Sequence, residues 1–394
     1  MSGLAGSSKL LRAINSSAAL ALLLDRGTLT RGDLRELTGL SKPTTSEVLR
    51  RLTEAGLAVV VGRTSGGPGP NAEIYAPNPA AGYAVAISVR DTTETKRPAL
   101  VAAVCDLIGT VLARTETEID LAKTDPGAAL ATAVADVCDR AGVPSRAVGH
   151  IQLGVPGAYD PATDTIHHID VPGWNHPGLV GTLAERLDAR IAVDNDVNLA
   201  AIAERGRGVA GDVDSFAVLW LGDEGLGLAI DLGGTVLRGA RGGAGEIGYL
   251  PVGLGARTDL QGILGGPAVR ALASAHGFPA ATPESAVAGA AAAAGRSRKA
   301  AAAFLTELAE RIALALSAVA AVLDPPLVVL AGEVAQAGGT ALRDAVAAAL
   351  AATQFATPVE VTALTDDAVL LGALDAGLRT VREALIGSLR NNTA

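Results

Sequence analysis

The sequence predicts an α/β chain in two parts, a small helical head over residues 1–77 and a two-lobed α/β body over the rest. Two observations predict it. Residues 30–56, TRGDLRELTGLSKPTTSEVLRRLTEAG, carry the signals of a helix, a tight turn and a second helix. Beyond residue 77, apolar strand-like runs alternate with helical ones, and the alternation occurs twice.

The head comes first. The apolar run 18–24 is too short to cross a membrane and belongs to an opening helix. Thr30 can cap the next helix, with Asp33 three residues on favouring its positive end. Leu34 and Leu37 give that helix an inward face. Gly39 supplies the turn, Leu40 fills the gap, and Ser41 caps the second helix. Pro43 falls in the first turn, where a missing N–H costs little. Thr44, Val48, Leu52 and Ala55 line one side at helical spacing. Lys42, Pro43, Ser46 and Arg50 lie opposite, with Arg51 near the edge.

A short, cationic, hydroxyl-rich second helix suits the major groove of double-stranded DNA. Many helical hairpins share this spacing and bind nothing, so the next stretch decides. Residues 57–63 are strand-like, 64–71 form a Gly/Pro/Ser loop, and 72–76 are a second short strand. Helix, turn, helix and hairpin make a winged helix-turn-helix. Ser41, Lys42, Thr44, Thr45, Ser46 and Arg50 are the expected groove contacts. Arg51 and the wing's Arg63 are expected on phosphates or in the minor groove.

Composition agrees. The 394 residues are 49% hydrophobic but only 3% aromatic, so the cores are aliphatic. The net charge of −9 argues against a general nucleic-acid binder. The charge is unevenly divided, though. Residues 1–75 hold nine Lys/Arg against six Asp/Glu, and the remainder holds 23 against 35. A mildly basic head on an acidic body fits a DNA reader attached to something else. Cys105 and Cys138 sit in apolar stretches and read as buried free thiols. No Cys or His spacing builds a structural zinc site. With no long apolar segment near the N-terminus, a cytoplasmic protein is expected, on the nucleoid when bound to DNA.

The body follows Pro77-Asn78-Pro79. Strands are expected at 83–89, 98–106, 111–119, 147–155 and 190–194, with helices at 126–141 and 179–187. The second half is expected to place strands at 215–221, 225–230, 236–238 and 326–330. Helices are expected at 268–275, 288–303 (broken at Gly295), 299–323 and 340–353. The lobes are expected to divide near residue 200, as 78–200 and 201–394, with the C-terminal helix joining the first. Ligands in such α/β folds bind at strand ends.

Two motifs carry a resemblance. Asp194-Asn-Asp-Val-Asn-Leu-Ala-Ala-Ile-Ala-Glu204 and Ala244-Gly-Glu-Ile-Gly248 resemble the ROK family of repressors, open reading frames and sugar kinases. The segment GLSKPTTSEVLRRLTEAGL is similar to the DNA-binding head of that family's repressors. The resemblance implies an actin-like ATPase fold (ROK sugar kinase-like), a sugar or sugar-phosphate pocket between the lobes, and a homodimer or higher homo-oligomer. By the same resemblance, Asp196 matches the kinase base, Asn195 its sugar-contacting neighbour, and Glu246 the sugar-binding Glu of G-E-x-G-H.

The departures are informative. Tyr249 stands where the family has a zinc-ligating His. The cysteine run that completes that zinc site is replaced by Asp259-Leu-Gln-Gly-Ile-Leu-Gly-Gly266, and a further sugar-contacting Glu by Ala268. Gly and Leu cannot replace thiolates, so no metal and no cofactor are expected. The family's D-x-G-x-T phosphate loop matches Ser88-Val-Arg-Asp-Thr92, where Ser88 replaces the Asp and Arg90 the Gly. A polar insert follows over 91–97. Asp231-Leu-Gly-Gly-Thr235 repeats D-x-G-x-T elsewhere, but Gly233-Gly234 is a hairpin turn signal. Gly222-Asp-Glu-Gly225 would set two carboxylates where the kinases cradle phosphate. His167, His168, Trp174 and the Arg296, Arg298, Lys299 cluster carry mainly structural readings.

The expectation is a repressor-type transcriptional regulator. It binds an inverted-repeat operator, responds to a sugar or sugar-derived effector at Asn195, Asp196, Glu246 and Tyr249, and has lost kinase activity. The alternatives are an ATP-dependent sugar kinase using Asp196 as base, and a regulator controlled by a protein partner.

Overall fold

The computed structural model describes residues 3–64, 71–91, 98–120, 123–167, 174–223, 225–253, 258–294, 299–364 and 367–391. The expected insert over 91–97 lies largely outside them, as do His168, Glu224, Arg296 and Arg298.

The head opens with helix α1 (Gly3–Arg26), then a two-residue strand β1 (Leu29–Thr30), α2 (Arg31–Thr38) and α3 (Lys42–Glu54). Strands β2 (Ala58–Arg63) and β3 (Glu73–Pro77) form the wing, in a sheet of order β1-β3-β2. Local chemistry sets these boundaries. Thr30 and Asp33 close a reciprocal capping box, with the Thr30 N–H donating to the Asp33 carboxylate at 2.8 Å. Gly39 ends α2 at φ 68°, in the left-handed region that glycine enters without strain. Ser41 caps α3, and Pro43 sits in its first turn. Leu20, Leu23, Leu34, Leu49 and Leu52 form the centre of the core, each 1% exposed or less. Leu37, expected inside, is 48% exposed, because a helix as short as α2 (eight residues) turns only one residue, Leu34, fully inward.

The chain then builds β4 (Tyr83–Asp91), β5 (Pro98–Asp106), β6 (Val111–Glu118), α4 (Pro126–Ala141) and β7 (Val148–Val155). The β8–β9 hairpin (Ala158–Asp160, Thr165–His167), α5 (Leu179–Leu187), β10 (Ile191–Asn195) and α6 (Asp196–Arg207) follow. Next come β11 (Phe216–Leu221), β12 (Leu226–Leu232), β13 (Thr235–Val236), α7 (Leu260–Leu264), α8 (Gly266–Ala275), α9 (Pro283–Ala294) and α10 (Lys299–Leu323). The last elements are β14 (Val328–Ala331), α11 (Glu333–Ala351), β15 (Val359–Val361) and α12 (Ala368–Asn391). α11 starts earlier than residue 340 because two helical segments run together across Gly339.

Two five-stranded sheets result, ordered β10-β7-β4-β5-β6 and β13-β12-β11-β14-β15. In each, the first strand in sequence is central, an antiparallel meander lies to one side and two later strands lie to the other. The same wiring is therefore used twice.

The chain divides into two compact units. One holds residues 1–153, 180–192 and 374–394, and the other 154–179 and 193–373. In the first unit, the end of α12 packs on the head. Leu385, Ile386 and Leu389 lie against its core, and the Ser17 hydroxyl donates to the Ile386 carbonyl. In the second, Phe304, Leu308, Ile312 and Leu316 of α10 lie at the heart of the core, with β11 and β14. Cys105 and Cys138 are buried free thiols whose pKa burial raises. No helix among the described residues is long and apolar enough to cross a membrane.

Candidate functional site

The α3 helix turns Thr45, Val48, Leu49 and Leu52 into the core, each 3% exposed or less. The inward stripe thus runs one residue later at its start than Thr44 implies. Thr45, expected in the groove, is fully buried, and its hydroxyl donates to the Ser41 carbonyl at 3.1 Å. It cannot reach a base, because the fourth residue of α3 shares the buried face with Val48, Leu49 and Leu52. Ser41, Lys42 and Arg50 are exposed, while Thr44 and Ser46 are half-buried. The Ser41 and Thr44 hydroxyls share a hydrogen bond of 2.8 Å, and that of Ser46 donates to the Lys42 carbonyl.

Charge on the outer face is organised by two residues the sequence reading passed over, Glu47 and Glu54. Arg50 donates from Nε and Nη2 to Glu47 at 3.1 and 2.8 Å and from Nη1 to Glu54. Arg51 donates from Nε to Glu47 at 2.7 Å. The two guanidinium groups hold the Glu47 carboxyl down at about 2. Arg51 also lines a cavity of about 350 Å³ with Lys9 and Arg12. In the wing, Arg63 is 68% exposed and lies 3.6 Å from Glu73.

The second constellation lies wholly in the other unit, where β10 runs into α6. Asn195 is the N-cap. Its side-chain carbonyl accepts from the N–H groups of Val197 at 2.9 Å and Asn198 at 3.3 Å, and its amide donates to the Gly157 carbonyl at 3.2 Å. Most of its bonding capacity is therefore spent on the turn, with one amide N–H left for a ligand. Asp194, 5% exposed, accepts from Asn198 Nδ2 at 3.0 Å and from Arg238 Nε at 2.9 Å. The motif's first Asp is thus a structural anchor.

Asp196 differs from both neighbours. It lies in the first turn of α6, where the helix dipole favours a carboxylate. Desolvation outweighs this, and with the nearby charges of Glu246 and Glu333 it pushes the Asp196 carboxyl up to about 7. Gly245 sets Glu246 in place. Its φ is 93°, and a Cβ there would stand 2.0 Å from the Leu228 carbonyl oxygen of β12. Glu333 opens α11 directly after Gly332. It was not expected here, although its place after a buried strand and a glycine was the available signal. Tyr249 is 58% exposed, outside any buried cluster. Trp174 is fully buried, a packing residue.

Other motif positions are now defined. Ser88 is 2% exposed in β4, and the strand continues through Arg90, paired with Ala99. Asp231 pairs with Val236 across a two-residue turn at Gly233-Gly234, whose φ values are 60° and 81°, so D-L-G-G-T is a hairpin. Asp231 also accepts from the Gly234 N–H at 2.8 Å and from Arg205. Residues 259–266 contain α7, capped by Asp259 and packed through Leu260 and Leu264.

Comparison with known proteins adds a family. The ROK family model matches residues 97–378, and a MarR family model matches residues 13–67. The chain is 35% identical over 144 residues to a glucokinase of Halalkalibacterium halodurans, covering 34% of this chain and 42% of that protein. It is 27% identical over 253 residues to the DNA-binding transcriptional dual regulator NagC of Escherichia coli, covering 63% and 59%. It is 23% identical over 245 residues to the xylose repressor of Bacillus subtilis, covering 61% and 60%. The chain thus spans two-fifths to three-fifths of the length of these curated relatives. Among solved structures, a ROK family transcriptional regulator described as a homolog of the E. coli MLC protein superposes with a TM-score of 0.73 at 20% identity, covering 98% of this chain and 99% of that one. A ROK hexokinase from Thermus thermophilus gives 0.62 at 24% identity, covering 76% and 99%. The head has the winged-helix fold, the body carries the Asp194–Glu204 and Ala244–Gly248 motifs, and the family model spans most of the chain. The protein therefore belongs to the ROK family, with a MarR-type winged helix ahead of the family's body.

Proposed function

We propose that this chain is a transcriptional repressor whose head binds an inverted-repeat operator as a homodimer and whose body takes a sugar or sugar-derived effector. One observation carries this: a winged helix with an outward-facing, hydroxyl- and cation-bearing α3 precedes a ROK body. Twofold symmetry of the dimer would match one α3 to each half-site. Relatives named as repressors and a dual regulator support the same output. Asp196 and Glu246 supply acceptors for sugar hydroxyls, and Asn195 one remaining donor. Tyr249 is assigned to the mouth of that site, consistent with its exposure. The effector acts through its differential affinity for the DNA-competent and DNA-incompetent states.

Phosphoryl transfer is not part of this function. At the positions that match the kinase phosphate loop, Ser88 is buried in an unbroken strand, and Arg90 continues it. A genome-wide map of bound sites is the test. The expected result is a twofold-symmetric motif near genes of sugar uptake or use, and binding without any motif would contradict it.

A sugar kinase is the second reading, favoured by one observation. An Asp196 carboxyl near 7 is suited to a general base. ATP-dependent turnover of a hexose, abolished in Asp196→Asn, would establish it.

A further inference from the structure

Resting on the head's proposed role as a DNA reader, we propose that Glu47 is a specificity-determining residue that reads a cytosine in each half-site by accepting a hydrogen bond from its exocyclic amino group.

Placement comes first. Thr45, Val48, Leu49 and Leu52 define the buried side of α3. Helical spacing sets Pro43, Glu47, Arg50 and Glu54 on the opposite side. Glu47 lies in the second turn, the part of a recognition helix that meets base edges. Its side chain is 40% exposed.

Charge is the second point. A carboxylate brought to DNA faces phosphate repulsion. Glu47 arrives neutralised, because Arg50 and Arg51 both donate to it. Arg50, the cation expected to read bases, instead spends Nε, Nη2 and Nη1 on Glu47 and Glu54. It is a buttress that aims the Glu47 carboxylate along the helix face.

Acceptor capacity is the third. Glu47 accepts four hydrogen bonds, from Arg50 Nε at 3.1 Å, from Arg50 Nη2 on both oxygens at 2.8 and 2.9 Å, and from Arg51 Nε at 2.7 Å. A carboxylate has about four acceptor sites, so a base donor takes the place of the longest of these, the Arg50 Nε bond, while Nη2 still holds both oxygens. In the major groove, cytosine N4 is the donor that a Glu matches. Exposed ion pairs on a helix contribute little stability by themselves, so a purely structural role leaves two acids on the groove face unexplained.

The test is selection of bound duplexes from a random-sequence pool by the full chain and by Glu47→Gln and Glu47→Ala. The wild-type motif should hold a fixed cytosine in each half-site. In Glu47→Ala, discrimination at that position should fall on the order of 10- to 100-fold, with other positions unchanged. In Glu47→Gln, which keeps the side chain's shape, the preference should move to adenine, which an amide pairs with. A motif unchanged in both variants overturns the assignment and leaves the DNA-binding function standing. No motif and no duplex binding by the wild type overturns both.

Discussion

The Ser17 hydroxyl donates to the Ile386 carbonyl at 3.1 Å, joining the first helix of the chain to the last across 369 positions of sequence. Ser17 is fully buried, and Leu385, Ile386 and Leu389 lie against the same core as Leu20 and Leu23. The head is therefore completed by α12, and its stability depends on the far end of the chain. In Leu385→Ala/Leu389→Ala, urea unfolding should show a loss of about 2–4 kcal/mol, because two partly buried aliphatic side chains leave a cavity at the head. Operator affinity should fall with it. Unchanged unfolding would show that α12 only rests on the head.

Asp194 and Arg238 form the anchor of the second constellation. The carboxylate is 6% exposed at its side chain and the guanidinium 48%. Arg238→Ala leaves that carboxylate buried with only Asn198 and the Asn195 N–H as donors. The expected cost in thermal or denaturant unfolding is about 2–3 kcal/mol, reduced by the partner's exposure. Asp194→Asn, which loses the ion pair but keeps two acceptor sites, should cost less.

Asp196 sets a pH dependence. Its folded carboxyl lies near 7, above the ordinary 3.8, so the native chain retains a proton there that the unfolded chain has released. Stability therefore falls as pH rises from about 4 to 7. Asp196→Asn removes that penalty and should stabilise the chain at pH 8 by about 1–3 kcal/mol, with no gain at pH 4. Effector binding should carry the opposite sign. Sugar hydroxyls donate to the ionised form, so calorimetry should find affinity rising roughly tenfold between pH 6 and 8 and flat in Asp196→Asn.

Lys42, one of the expected groove contacts, is exposed at the first turn of α3 and is assigned to the phosphate at the groove edge rather than to a base. Lys42→Ala should weaken binding evenly across DNA sequences and lower the slope of log affinity against log salt by about 1. Ser46→Ala should instead relax preference at one base position. A sequence-dependent loss for Lys42→Ala would reassign it to base contact.

Local features were legible in the sequence, and distant pairings were not. Thr30 with Asp33, Gly39, Ser41 and Pro43 each announce a helix end within four residues, and all stand where expected. The Gly233-Gly234 hairpin was legible for the same reason. Thr44 and Thr45 are chemically alike, so no apolar mark told which one faces the core. Glu47 and Glu54 escaped notice because a search for DNA contacts looks for cations. The Asp194–Arg238 pair and the Glu204 carboxylate, buried against the Thr362 hydroxyl, bring together residues 44 and 158 positions apart. Neither has a spacing signature. The same holds for Glu333, whose charge acts on Asp196 from 137 positions away in sequence.

Fluorescence anisotropy of the full chain on a duplex bearing its selected motif tests the central claim most directly. Without ATP, the chain should bind that duplex at least a thousandfold more tightly than a scrambled one. One member of a panel of free and phosphorylated sugars should shift the affinity by about 5- to 150-fold, and Asp196→Ala should abolish the shift. Equal affinity for the motif and the scrambled duplex, or turnover of ATP and sugar by the same preparation, would contradict it.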